Sequence, residues 1–239
     1  MIEIEKGATR GLMAFWAEIA PEHELIFLEW HNTEHIPERV GIPGFRLGRR
    51  YRVATNPSRY LMCYDTDSTD VLVSKPYLEA LNAPTTRTRE ALSWFQNPLR
   101  NLYTLEAEAG AGGPAATPVV ATVRIDASEG GEAGGAVHLD AAALLAAADA
   151  DTGSLISRLA VYRVDPAGAG VTTGERAIHG AAAQETGTLI WIETANLKLR
   201  EDPAEAERFE QAILAPIRKA AGKRPLHFEL AWLDFADLG

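Results

Sequence analysis

Histidines, glutamates, a tryptophan and a cluster of arginines crowd into the stretch from Leu28 to Tyr51, which runs Leu-Glu-Trp-His-Asn-Thr-Glu-His-Ile-Pro-Glu-Arg-Val-Gly-Ile-Pro-Gly-Phe-Arg-Leu-Gly-Arg-Arg-Tyr. At about 100° per residue, Leu25, Leu28, Asn32, His35 and Ile36 share one helical face. His35 therefore points inward, with His31 one turn back and Trp30 on the opposite side. An imidazole titrates near neutrality and is the usual proton shuttle. A partly buried His35 can move a proton beside a carbonyl or from a phenol, with His31 or Glu34 to orient it. Arg49 and Arg50 alternate along a strand, so one of them at most faces the same pocket. Arg50 or Tyr51 would then stabilise a developing oxyanion. Tyr64, on the following strand, and Asn32 complete the set of candidate substrate contacts. The competing reading for each is packing: a hydrogen-bonded core histidine, or a tyrosine with its hydroxyl at a sheet edge. Glu38 and Arg39 read as a solvated ion pair at the helix end.

The order His31-Asn32-Thr33-Glu34-His35 also fits an H-x-x-E-H metal spacing, because residues four apart share a helical face. Pro37 follows at once and looks set to end the helix, which leaves a metal site short of scaffold. No metal is expected. Gly130 to Gly135 lacks the Lys-Ser/Thr of a phosphate loop and reads as a flexible connection.

Around this stretch the 239-residue chain is ordinary for a globular protein, 46% hydrophobic and 23% charged. A net charge of -10 argues against a nucleic-acid or anionic-membrane partner. A single cysteine, Cys63, excludes an internal disulfide and reads as a buried small hydrophobe in a cytoplasmic protein. No signal peptide and no membrane-length apolar run is apparent.

Period and turn signals give strands at Gly11–Ala20, Phe45–Ala54, Tyr60–Asp65 and Leu102–Ala107. Helices fall at Glu22–Pro37, Ser68–Asn82 (with a second start at Ser74 and Pro76) and Thr85–Gln96. After a Gly/Ala/Pro-rich passage the order repeats. Strands fall at Val119–Ile125, Leu155–Val164, Thr188–Thr194 and Leu226–Phe235. Helices follow Asp140 and Asp202 as caps, with a kink expected at Pro216, and His179 lies in a long loop. Tyr51-Arg52-Val53 recurs as Tyr162-Arg163-Val164. The expected fold is α+β, with two tandem ferredoxin-like β-α-β-β-α-β repeats at 8–110 and 119–239 joined by a linker at 111–118. Packed face to face, their sheets make an intramolecular barrel. The first repeat carries the site, and the second is mainly structural.

Trp30-His31-x-x-Glu34-His35-Ile36-Pro37-Glu38-Arg39, with Ile42-Pro43-Gly44-Phe45 and Arg49-Arg50-Tyr51, resembles the EthD-like branch of the dimeric α/β-barrel superfamily. There, an aromatic helix ends in a Glu-His-x-Pro turn and a Pro-Gly step enters the second strand. The resemblance implies a small protein of hydrophobic carbonyl or aromatic metabolism acting without a cofactor, as an isomerase, cyclase or dehydratase. It also implies alternatives: a non-catalytic binding or accessory protein, a cofactor-free monooxygenase, or a haem protein of the chlorite dismutase type. The haem alternative would draw its axial histidine from His179, His227 or His138. A homodimer is compatible with a leftover sheet edge.

Overall fold

Eight strands pair edge to edge without a break, in the order β1-β3-β2-β8-β5-β7-β6-β4, and every neighbouring pair is antiparallel. This closed barrel is the core of the computed structural model, which describes residues 10–110, 113–127, 137, 139–152, 155–166, 173–180 and 187–239. The loop expected at Gly130 to Gly135 and the candidate ligand His138 lie outside these residues.

The strands are β1 (Gly11–Glu18), β2 (Phe45–Val53), β3 (Arg59–Thr66), β4 (Gln96–Gly110), β5 (Val119–Asp126), β6 (Ile156–Val164), β7 (Gly187–Thr194) and β8 (Leu226–Leu238). Both faces of most strands are covered, so β1 is a continuous apolar run rather than an alternating one. Leu12, Ala14 and Trp16 point into the barrel with Tyr51, Leu61, Cys63, Tyr162 and Trp191. Met13, Phe15 and Ala17 point outward beneath helices. Cys63 is fully buried, and burial pushes its thiol up to about 12. Two strands are longer than their apolar runs suggest, because each must pair on both sides. β4 pairs with β1 through its first part and with β6 through its last. β8 spans β5 and β2 in the same way.

Helices pack outside the barrel. In the second half α5 (Ala141–Thr152) and α8 (Pro203–Ala221) cover β5, β6 and β7, joined by the short α7 (Lys198–Glu201). Asp140 and Asp202 accept hydrogen bonds from the first-turn amides of α5 and α8, as their sequence positions suggest. In the first half, α3 (Lys75–Asn82) follows a 3₁₀ turn at Thr69–Val73 and starts at Ser74, which caps it. α4 (Thr86–Leu92) is capped by Thr85 and ends before β4, shorter than expected.

The helix that carries the histidines departs from its sequence reading. It does not stop at Pro37. α1 (Pro21–Trp30) runs into a π-helical turn at His31–His35 and then into α2 (Ile36–Val40). In the wide turn the Ile36 amide donates to the His31 carbonyl, five residues back. The proline, lacking an N–H, is accommodated just after it. The extra residue per turn also resets the helical phase. Leu25 is 79% exposed, while Phe27, Trp30, His31, His35 and Ile36 form the buried face.

Gly48 on β2 lets this helix lie close: a Cβ there would meet Ile36 Cγ2 at 2.9 Å and Val40 Cγ1 at 3.0 Å. Gly48→Val is therefore expected to lower unfolding free energy by about 1–3 kcal/mol, the usual cost of overpacking. Urea unfolding beside the wild type measures it, and an unchanged midpoint would contradict the close approach. Among the described residues, no helix is long and apolar enough to cross a membrane.

Candidate functional site

The outer face of β1, β3 and β4 and the buried face of α1 to α2 enclose a cavity of about 50 Å³. His31 and His35 lie on its wall, 1% and 9% exposed. Their rings stack at 5.5 Å. Phe27 stacks on His31 at 5.3 Å, and Trp30 sits 4.5 Å from His35. Trp30 is thus on the same side as His35, a correction to the helical-wheel reading that follows from the π turn. Its indole N–H donates to Thr88 Oγ1 at 3.2 Å, which ties α1 to α4.

Arg50 decides the state of His31. Its Nη1 lies 2.9 Å from His31 Nδ1. A guanidinium has donors only, so Nδ1 must accept and the ring proton sits on Nε2. Arg50 is held in turn by Asp234 of β8, whose Oδ2 accepts from Nε at 2.8 Å. Burial, reinforced by Arg50 and then Arg39, holds His31 well below the usual imidazole range. Burial, Arg39 and His31 do the same to His35. Both rings are neutral at pH 7, and with His31 Nδ1 taken by Arg50, His35 is the one of the pair free to accept a proton. The Nδ1 of His35 is buried without a hydrogen-bond partner.

The second half closes the cavity. The segment expected to be a loop holds a short helix, α6 (Gly174–His179), capped by Thr173. Its first amide donates to Asn82 Oδ1 at 3.0 Å, at a close approach to the Leu81 carbonyl. α6 brings Glu175, Arg176 and His179 to the wall. Glu175 pairs with Arg39. The expectation that Arg39 is solvated fails: it is 1% exposed, because α2 continues past Pro37 and turns it inward. Burial raises the Glu175 carboxyl against the pull of Arg39. His179 lies 5.5 Å from Phe15. Burial, with Arg100 and Arg176 nearby, brings it down to about 4.

The remaining candidates divide. Tyr64 lines the cavity, its hydroxyl buried without a hydrogen-bond partner, and burial raises its pKa so that it keeps its proton. Tyr51 points into the barrel, on the face of β2 opposite to Arg50. Glu34 turns away from the histidines and accepts from Thr85 Oγ1 at 2.5 Å and Thr88 Oγ1 at 3.1 Å. Asn32 and Arg50 are not on the cavity wall, and Arg50 stands behind His31. Tyr77, Arg100, Glu175 and Arg176 join the site unforeseen. Thr173-Gly174-Glu175-Arg176 does carry a helix-start signature, an N-cap threonine before an acidic residue.

Metal chemistry does not suit these residues. Among the described residues no cluster of three His, Cys, Asp or Glu could hold an ion. Glu34 faces away, and the Arg50 cation occupies His31 Nδ1. Among the described residues haem finds no fitting site. His227 is exposed on β8, and the cavity beside His179, about 50 Å³, is too small for a macrocycle of that size. A second hollow of about 320 Å³ opens at the barrel mouth near Arg10, Arg46, Asp65 and Asp67. Its charges are already paired, Arg10 with Glu108, Arg46 with Asp67 and Asp65 with Arg49.

No family model matches the chain, and no curated protein is a significant match to it. Solved structures do share its architecture. An anthrone oxidase-like protein aligns over 99% of this chain and 95% of its own, with a TM-score of 0.57 at 8% identity. A candidate monooxygenase from Fusobacterium nucleatum subsp. nucleatum ATCC 25586 aligns over 97% and 95%, with a TM-score of 0.54 at 6% identity. Another from Lactobacillus acidophilus NCFM aligns over 96% of each chain, with a TM-score of 0.50 at 8% identity. The fold is a dimeric α/β-barrel. At such identities the likeness concerns fold alone.

The depressed histidines set a pH dependence. Below about pH 6.5 the unfolded chain binds protons that the folded one refuses, so stability falls as pH drops. For His179 that loss continues to about pH 4. Each such histidine adds a slope of up to about 1.4 kcal/mol per pH unit. His35→Gln should flatten the acid limb by about that much, read as urea-unfolding free energy from pH 7.5 to 4.5. Parallel limbs in wild type and variant would refute the neutral, buried state of His35.

Proposed function

We propose that this protein is a small cofactor-independent enzyme that moves a proton on a hydrophobic carbonyl or aromatic compound. Isomerisation, cyclisation and dehydration are the reactions within its reach. The observation that carries the reading is the pair of stacked, neutral histidines on a cavity wall, one of them fixed in tautomer by Arg50. In this reading His35 removes a proton from the carbon next to a carbonyl. Tyr64, a neutral phenol with an unused O–H, donates to the oxygen on which charge develops. His31 supports His35 by stacking and keeps its Nε2 proton. The imidazolium formed on His35 then returns its proton elsewhere on the substrate. Apolar walls from Phe15, Met62, Leu92 and Phe95 suit a hydrophobic body.

Finer placements belong to the same proposal. Each half has the strand order fourth-first-third-second, β4-β1-β3-β2 and β8-β5-β7-β6. This order supports two tandem ferredoxin-like units at 8–110 and 119–239 joined through 111–118. The Trp30-to-Tyr51 pattern supports an EthD-like relationship. A cytoplasmic protein that binds small molecules rather than nucleic acid, as a possible homodimer, agrees with the acidic composition.

A cofactor-free oxygenase is the second reading, favoured by the names of the structural neighbours, an anthrone oxidase-like protein and two candidate monooxygenases. It shares the first step: His35 deprotonates an electron-rich substrate, and the resulting carbanion reacts with dioxygen.

The test needs no known substrate. Acetone, butanone, cyclopentanone and cyclohexanone are incubated with the protein in D₂O, and loss of the α-proton is followed by NMR beside an oxygen electrode. Wild type should exchange at least one of them above buffer, and His35→Ala should lose about 10²–10⁴-fold of that rate. Oxygen uptake in step with proton loss selects the oxygenase. Binding without exchange by the wild type, or exchange unaltered in His35→Ala, would overturn the catalytic reading in favour of a binding protein.

A further inference from the structure

Arg100 is the cavity residue with no role in that chemistry. It lies on β4 opposite Phe15 of β1, so its side chain leaves the sheet on the cavity side. It is 7% exposed. Its Nη2 donates to Tyr77 Oη at 3.4 Å, a long bond, and Nη1 is buried with no hydrogen-bond partner. Among the described residues no carboxylate forms an ion pair with it. A buried guanidinium is normally paired, because its desolvation is otherwise uncompensated.

The rest of the wall offers one carboxylate among the lining residues described, Glu175, which lies in the field of Arg100 without forming an ion pair with it. Glu175 is engaged by Arg39. Glu38 touches Arg39 from the solvent side at 3.2 Å and does not line the cavity. The histidines on the wall carry no negative charge, and Tyr77 and Tyr64 are phenols. The remaining wall is apolar, with Phe15 beside Arg100 on the sheet and Phe95, Leu81 and Leu92.

We infer that the cavity takes a hydrophobic monocarboxylate, whose carboxylate docks on the open Nη1 edge of Arg100 and whose body lies against Phe15 and Phe95. A guanidinium offers a carboxylate charge-assisted hydrogen bonds. A dianionic phosphate matches the site less well, since Arg39 is already committed to Glu175. The cavity of about 50 Å³ holds a carboxylate group and a few carbons as it stands, so small acids are the natural probes. This inference rests on the cavity being the functional site. It narrows the substrate class to keto acids or aromatic acids.

The experiment compares isosteric pairs: acetate with acetamide, butyrate with butyramide, and benzoate with benzamide. Calorimetric titration and thermal melting are run at pH 7.5 and constant ionic strength. At least one acid should bind wild type tenfold or more tightly than its amide and raise the melting temperature. Arg100→Met should abolish that preference, and Arg100→Lys should restore part of it. Should Arg100→Met fail to fold, Arg100→Lys and the wild-type acid–amide comparison still decide. Equal binding of acids and amides by wild type overturns the inference, as does an acid preference that survives in Arg100→Met. The outcome is separable from the proton-transfer assay. Exchange of neutral ketones without acid preference removes this inference alone, and acid binding at Arg100 without exchange removes the enzymatic reading alone.

Discussion

Consecutive residues of a strand must face opposite sides of its sheet, and β2 places two arginines, Arg49 and Arg50, under that constraint inside a closed barrel. Both are buried. Arg49 points inward, pairs with Asp65 of β3 and donates to Glu193 of β7 at 3.0 Å. The same Glu193 oxygen accepts from Arg158 of β6 at 3.2 Å and from Trp191 at 3.0 Å. Such a cluster contributes little net stability, because desolvation offsets most of the Coulomb gain. Its effect is on register. A slip of one residue on β2 would turn each arginine to the opposite face of the sheet, separating Arg49 from Asp65 and Glu193 and Arg50 from His31. Barrel closure and site geometry therefore depend on the same pairing.

From Arg50 the constraint passes to the chemistry. A cation against Nδ1 blocks protonation there and fixes the Nε2 tautomer of His31. Beyond burial, its field and that of Arg39 disfavour charge on His31, and Arg39 with His31 does the same to His35. Arg39 is kept inside by Glu175, which comes from the other half of the chain. The pocket is thus assembled by both halves, although one half supplies the stacked histidines. Asp234 reinforces this: it lies on β8 and steadies Arg50 across the seam where β2 and β8 close the barrel.

Strand positions were legible because short apolar runs bounded by turn residues are local signals. Tyr51 and Tyr162, matched in the Tyr-Arg-Val echo, both point into the barrel. The helix face was not legible. A wheel of constant pitch assumes 3.6 residues per turn, and the π turn at His31–His35 breaks that assumption within the stretch that matters. Leu25 misled the reading for the same reason: it is apolar yet exposed, while Trp30 turns inward. Arg39, Arg100 and Glu175 were hidden because their burial comes from contacts between distant segments. Arginine and glutamate read as surface residues when nothing local says otherwise. The alternation that separates Arg49 from Arg50 was visible, yet it also assigns Tyr51 to the barrel side with Arg49, and grouping Tyr51 with Arg50 missed that.

Neutral histidines in a core are compatible with simple packing, so stacking alone does not distinguish a site from a scaffold. The unsatisfied atoms do. His35 Nδ1, Tyr64 Oη and Arg100 Nη1 are buried without hydrogen-bond partners, and their residues line one cavity. Each such atom costs about 1–3 kcal/mol, so together they weigh against a large part of the roughly 5–15 kcal/mol that holds a domain folded. A packing core would replace them with apolar groups at little loss. A binding site retains them, because a ligand oxygen or a transient water repays the desolvation when it arrives. At the barrel mouth the lining charges are paired instead, Arg10 with Glu108, Arg46 with Asp67 and Asp65 with Arg49.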